Sequence, residues 1–156
     1  MMSEIRIPTK DGQSFSAYLA APEKRPAPAI LVIQEIFGVN AEVRAKCDFF
    51  ASQGFLAIAP DLFWRIEPGV DLTDKAEAEW QKAFDLYNKF NVETGIADLR
   101  ATLHTLRGHA WCAGKVGAVG YCLGGKLAYL LATRSSVDCA VSYYGAGIEA
   151  LLSEAD

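Results

Sequence analysis

Residues 115–126 read Lys115-Val116-Gly117-Ala118-Val119-Gly120-Tyr121-Cys122-Leu123-Gly124-Gly125-Lys126. The apolar run Val116 to Val119 predicts a buried strand, and Leu127, Leu130 and Leu131 mark a helix after it. Between them lies Gly120-Tyr121-Cys122-Leu123-Gly124, a Gly-x-Cys-x-Gly variant of the strand-to-helix turn that projects a nucleophile. The glycines have a physical reason. The nucleophile sits in a strained conformation on a very tight turn, and neighbours without Cβ atoms let strand and helix approach each other. Cys122 then stands at the N-terminus of a helix, whose positive end favours thiolate over thiol. The N–H of Leu123 points to where an oxyanion would form.

Upstream, Glu4 to Pro8 and Phe15 to Ala20 flank the turn signal Lys10-Asp11-Gly12 and predict a hairpin. Ala29 to Ile33 and Phe55 to Ala59 are continuous apolar runs that suit strands buried on both faces. Asn40 is placed to cap a helix reaching about Gln53, with Val43, Cys47 and Phe50 on its inner face and Gly54 at C′. Thr73 is placed to cap a helix with Trp80, Phe84 and Tyr87 on one stripe. Ile96, Leu99, Leu103 and Leu106 define another helix. Cys139 to Tyr143 gives a last strand, and Ile148 to Ala155 a final helical segment. Strands alternate with helices from about residue 29, so the expected fold is α/β, a mainly parallel sheet with helices on both faces. No repeat or linker breaks the chain, and residues 1–156 read as a single domain. The last strand would be an uncovered apolar edge, so the domain is expected to be incomplete at its C-terminus.

The 156 residues are 51% hydrophobic and carry a net charge of −4. That supports a real core and argues against nucleic acid as a partner, because phosphate binding needs a basic face. The first residues lack a basic segment followed by an apolar one, and no run is long enough to span a bilayer. A cytoplasmic protein with reduced thiols and no membrane partner is the expectation. Cys47, Cys112, Cys122 and Cys139 contain no Cys-x-x-Cys pair, so no metal site is expected. Cys47 and Cys139 read as core, while Cys112 falls in a loop. Two other readings of the turn exist. Gly120, Gly125 and Lys126 fit a phosphate-binding loop, but Leu127 stands where that loop needs Ser or Thr for magnesium. A buried structural cysteine is the second. Both histidines, His104 and His109, precede the turn, whereas the base of such a triad follows its nucleophile along the chain.

Gln34-Glu35-Ile36-Phe37-Gly38-Val39-Asn40 follows the first buried strand. Together with Gly120-Tyr121-Cys122-Leu123-Gly124-Gly125, it closely resembles the dienelactone hydrolases, or carboxymethylenebutenolidases. Pro60-Asp61-Leu62 and Tyr143-Tyr144-Gly145 are similar to that family as well, so the resemblance runs in register over the whole chain. It implies an α/β-hydrolase-like fold and a Cys-His-Asp triad with Cys122 as nucleophile. By the same resemblance Glu35 is the carboxylate that controls the thiol's protonation, and the N–H groups of Ile36 and Leu123 form the oxyanion hole. Glu35 also reads directly: it leaves a strand at the carboxyl edge of a parallel sheet, where ligands bind. A carboxylate there would disfavour the thiolate.

The family's Asp and His lie in later strands and loops, past Asp156. The resemblance also implies that the family holds its substrate carboxylate with arginines, one on the helix after the second buried strand and one near the histidine past Asp156. That helix here reads Glu79-Trp80-Gln81-Lys82-Ala83-Phe84, and Lys82 lacks the bidentate fork of arginine. The expected function is cysteine-dependent hydrolysis of a small-molecule ester or lactone, without a metal or organic cofactor. The alternative is a non-catalytic binding or scaffold domain of the same fold.

Overall fold

The computed structural model describes residues 1–155. The hairpin forms as read: β1 (Met2–Pro8) pairs antiparallel with β2 (Ser14–Ala20), and Gly12 turns between them with φ of 84°. β3 (Ala27–Ile33) and β4 (Leu56–Pro60) pair in parallel; β5 (Cys112–Tyr121) lies parallel to β3, and β6 (Cys139–Tyr143) parallel to β5. β2 joins β4 antiparallel, giving the order β1-β2-β4-β3-β5-β6. The mainly parallel α/β sheet is therefore observed.

Alternation along the central strands feeds two cores. Leu31 and Ile33 of β3, Leu56 and Ile58 of β4, and Val116 and Ala118 of β5 point to one face. Val32, Ala57, Ala59 and Val119 point to the other. The first face is covered by α2 (Glu77–Lys89), α3 (Val92–Gly108) and α4 (Leu123–Arg134), through Leu86, Leu99, Leu106, Leu127 and Leu130 among others. The second is covered by α1 (Ala41–Ser52), through Val43 and Cys47. Alanines in β4 leave room for α1 to approach on that side. Helices thus lie on both faces, as expected. A 3-10 segment, Ile148–Ala155, closes the described residues.

Local signals were followed closely in α1. Asn40 Oδ1 accepts from the Val43 N–H, and Gly54 takes φ of 92° just past the helix. Phe50 is only partly buried. α2 departs from expectation. It begins at Glu77 with Ala76 as an N-cap that makes no side-chain bond. Thr73 instead reaches forward, its hydroxyl donating to Glu79 at 2.7 Å. The buried residues of α2 are Ala83 and Leu86, while Trp80 and Phe84 remain 37% and 51% exposed. Apolar spacing placed Trp80 and Phe84 on one stripe, and the two rings do stack together, but on a side that stays open to solvent.

The cysteines also divide differently. Cys47 is fully buried, as read, and burial pushes its thiol up to about 12. Cys112 opens β5 rather than sitting in a loop. Cys139 is exposed, not core, because β6 is the last strand of the sheet and its residues are largely uncovered. An aromatic disulfide reagent should therefore modify Cys139 rapidly and Cys47 only on unfolding. Cys47→Ala should cost about 1–3 kcal/mol and Cys139→Ala close to nothing. Rapid modification of Cys47 in the folded protein would contradict this packing.

Candidate active site

Cys122 is the one residue between β5 and α4. Its backbone takes φ of 56° and ψ of −116°, a conformation that L residues adopt at a cost of about 1–3 kcal/mol. Two glycines make the turn feasible. A Cβ on Gly120 would stand 1.8 Å from the Gly124 carbonyl oxygen. A Cβ on Gly124 would stand 2.4 Å from the Ile33 carbonyl oxygen and 2.5 Å from that of Gln34. The start of α4 is thereby pressed onto the end of β3. The turn after β6 clasps the same point: Cys122 N–H donates to the Tyr143 carbonyl (3.0 Å), and Ala146 N–H to the Cys122 carbonyl (3.2 Å). The Leu123 N–H, first in α4, and the Ile36 N–H have no acceptor among the described residues.

Glu35 arrives from the other side of that junction. β3 ends at Ile33, and fully buried Gln34 anchors the chain there. Gln34 Oε1 accepts from the Leu62 N–H (2.9 Å), and its Nε2 donates to the Glu35 carbonyl (3.1 Å). Further along, Leu72 N–H donates to the Phe37 carbonyl, and Asn40 Nδ2 to the Leu72 carbonyl. Asp61 holds the intervening loop by accepting from Phe63 and Gly69 N–H groups. Residues 34–40 are thus fixed against residues 61–72, and Glu35 is left half-buried. Burial raises its carboxyl above the usual carboxylate range. Glu42 and Asp74 add to the rise, and Lys46 and the Tyr144 hydroxyl oppose it.

The structure brings Cys122, Glu35, Ile36 and Leu123 to one edge of the sheet. It adds Tyr144, to which sequence reasoning gave no role. Tyr144 has φ of 39° in the turn whose backbone bonds to Cys122, and its phenol is raised by desolvation first and then by the Glu35 carboxylate. The signal was its place directly after β6, at the same strand edge as Glu35. Gln34 was likewise read only as part of a motif. Lys82 does not reach the site: it pairs with Glu67 at 2.7 Å. The histidines lie elsewhere. His109 caps the C-terminus of α3 and accepts from the Trp111 N–H, and His104 is exposed on α3. The ten residues of β5, about 30 Å at ~3.3 Å each, separate His109 from Cys122. Among the described residues, no group of three or more His, Cys, Asp or Glu is placed to hold a metal, and no helix is long and apolar enough to cross a membrane.

Glu35→Gln tests whether this carboxylate acts on the cysteine. A carboxylate beside a thiol disfavours the thiolate, so iodoacetamide at one neutral pH should alkylate Cys122 faster in Glu35→Gln than in the parent chain. Equal rates would mean that Glu35 does not act on the thiol.

A mainly parallel sheet with helices on both faces, and a strained strand-to-helix turn at its carboxyl edge, define a protein with an α/β-hydrolase-like fold. Residues 15–156 match the model of the dienelactone hydrolase family. The chain belongs to that family. It is similar to a carboxymethylenebutenolidase of Pseudomonas putida, with 44% identity over 155 residues, 99% of this chain and 66% of the relative. A protein of Azospirillum brasilense provisionally given the same name is 47% identical over 156 residues, 67% of its length. Among solved structures, one from Klebsiella pneumoniae subsp. pneumoniae, provisionally named a dienelactone hydrolase, superimposes with a TM-score of 0.79. It shares 30% identity, and the match covers 93% of this chain and 60% of that one. The chain thus spans about two thirds of the length of the curated relatives it matches.

Proposed function

We propose that this chain carries the nucleophile portion of a cysteine-dependent hydrolase of small esters or lactones. The observation that carries the reading is the conformation of Cys122, at positive φ between β5 and α4. Strain of that kind is held by the surrounding packing, and a sulfur projected there is served by the helix N-terminus. In this reading Cys122 attacks the acyl carbon, and the free N–H groups of Leu123 and Ile36 receive the oxyanion. The alcohol or enol portion leaves, and water then releases the acid. Glu35 keeps the resting thiol protonated, and no metal or organic cofactor takes part.

A second reading is a non-catalytic binding domain of the same fold. The positions of His104 and His109, remote from Cys122, favour it for the residues described. Ester acylation separates the two. Incubation with p-nitrophenyl acetate followed by intact mass should show one acetyl group on Cys122 if it is a nucleophile. An unmodified Cys122, with p-nitrophenol released no faster than by a simple thiol, would favour the binding domain.

A further inference from the structure

Beside Glu35 lies a cavity of about 270 Å³, lined in part by Phe37, Leu72, Trp80, Glu42 and Asp74. Phe37 and Trp80 give it one aromatic side, which is fixed. Trp80 meets Phe37 edge to face at 4.9 Å and stacks on Phe84 at 5.6 Å. The indole Nε1 donates to the Asp74 carbonyl at 2.8 Å, which locks the ring in place. Trp80 nonetheless remains partly exposed. A rigid ring left facing an opening is what an apolar ligand group needs.

The charges around the cavity point the same way. Three carboxylates, Glu35, Glu42 and Asp74, line it against the single ammonium of Lys75. Lys82 is turned away to Glu67, and the Arg44 guanidinium is occupied by the Val39 carbonyl and Asp71. Lys46 acts on Glu35 from outside the lining, and among the described residues no guanidinium lines the opening, so an entering carboxylate would lose solvent among like charges.

We propose that this cavity receives an uncharged aromatic or apolar portion of the ester and discriminates against substrates bearing a carboxylate. The volume suits one ring with a short linker, since apolar cavities of about 150 Å³ already hold benzene. The inference rests on the reading of Cys122 as nucleophile, because Glu35 lines the cavity and follows Gln34, whose carbonyl packs against Gly124 of the elbow.

The test compares acylation of Cys122 by p-nitrophenyl phenylacetate and by the p-nitrophenyl monoester of glutaric acid. Each rate is divided by that of N-acetylcysteine with the same ester, which removes intrinsic reactivity. The neutral aryl ester should be favoured by about tenfold or more. Trp80→Arg should shrink or invert that preference, and Trp80→Ala should lower the aryl rate alone. A preference for the glutarate ester, or a ratio unmoved by both substitutions, would overturn the proposal. A second readout needs no chemistry. The indole N–H resonance of Trp80, assigned with Trp80→Phe, should shift with methyl phenylacetate and not with glutarate. Absent acylation with an intact shift would defeat the nucleophile reading while leaving the cavity's preference standing. Absence of the shift as well would defeat both.

Discussion

Cys122→Ala should abolish the burst of p-nitrophenol from p-nitrophenyl acetate, whereas the parent chain should release about one equivalent or less and then stall. In the proposed reading the burst needs only the Cys122 sulfur and an oxyanion site, both assigned to the junction of β5 and α4. Turnover needs a base to activate water. The chain's two histidines are at the far end of α3 and cannot supply it without a large rearrangement. In enzymes that lose a triad member, the remaining oxyanion site and binding leave only ~10³–10⁴-fold over water. The assay follows p-nitrophenol past one equivalent in the parent chain, Cys122→Ala and Cys139→Ala. Cys139→Ala should behave as the parent does, since that thiol lies exposed on the edge strand. A burst retained in Cys122→Ala would remove the central claim. Sustained turnover dependent on Cys122 would mean that His104, His109 or a second chain delivers the base.

Gly124→Ala should be among the most destabilising single substitutions in the molecule. The added methyl would stand 2.4 Å and 2.5 Å from two carbonyl oxygens of the β3 terminus. Neither is the end of a flexible side chain. Both belong to the backbone that Gln34 pins to Leu62. Relief requires α4 to move off the sheet, which would pull on Cys122 and on the buried Leu127 and Leu130. A loss upward of about 3 kcal/mol is expected, a large part of the ~5–15 kcal/mol that holds a typical domain together. Gly108→Ala is the control. It ends α3 with nothing within 4 Å of the added atom, and it should be neutral or slightly stabilising. Urea unfolding of the two variants reads the difference. A Gly124→Ala midpoint equal to that of the parent would show that the elbow tolerates a side chain there.

Much of this architecture is written locally. The strand, turn and helix around Cys122 are specified by residues within a dozen positions: an apolar run, glycines where backbones meet, and leucines at helical spacing. Asn40 and Gly54 mark the ends of α1 because capping is a contact between near neighbours in the chain. The alternation in β3 and β4 likewise fixes which side chains face which core.

What failed, or was silent, depends on groups far apart in sequence. Apolar spacing in α2 cannot separate a core stripe from a cavity wall, and only the docking of Trp80 on Phe37 shows that these rings stay open to solvent. The exposure of Cys139 follows from the place of β6 at the end of the sheet, which no residue of β6 encodes by itself. The strand order interleaves β4, β3 and β5, and that order sets Glu35 and Cys122 at one edge. Tyr144 joins them because parallel pairing of β6 with β5 brings the following turn back onto the Cys122 backbone. The sequence by itself determined the elbow, its cysteine and the α/β class, since each rests on short-range sterics and side-chain period. The surroundings of Glu35, with the aromatic cavity on one side and Tyr144 and the elbow on the other, were decided by tertiary structure alone, because long-range packing fixes which loop ends meet.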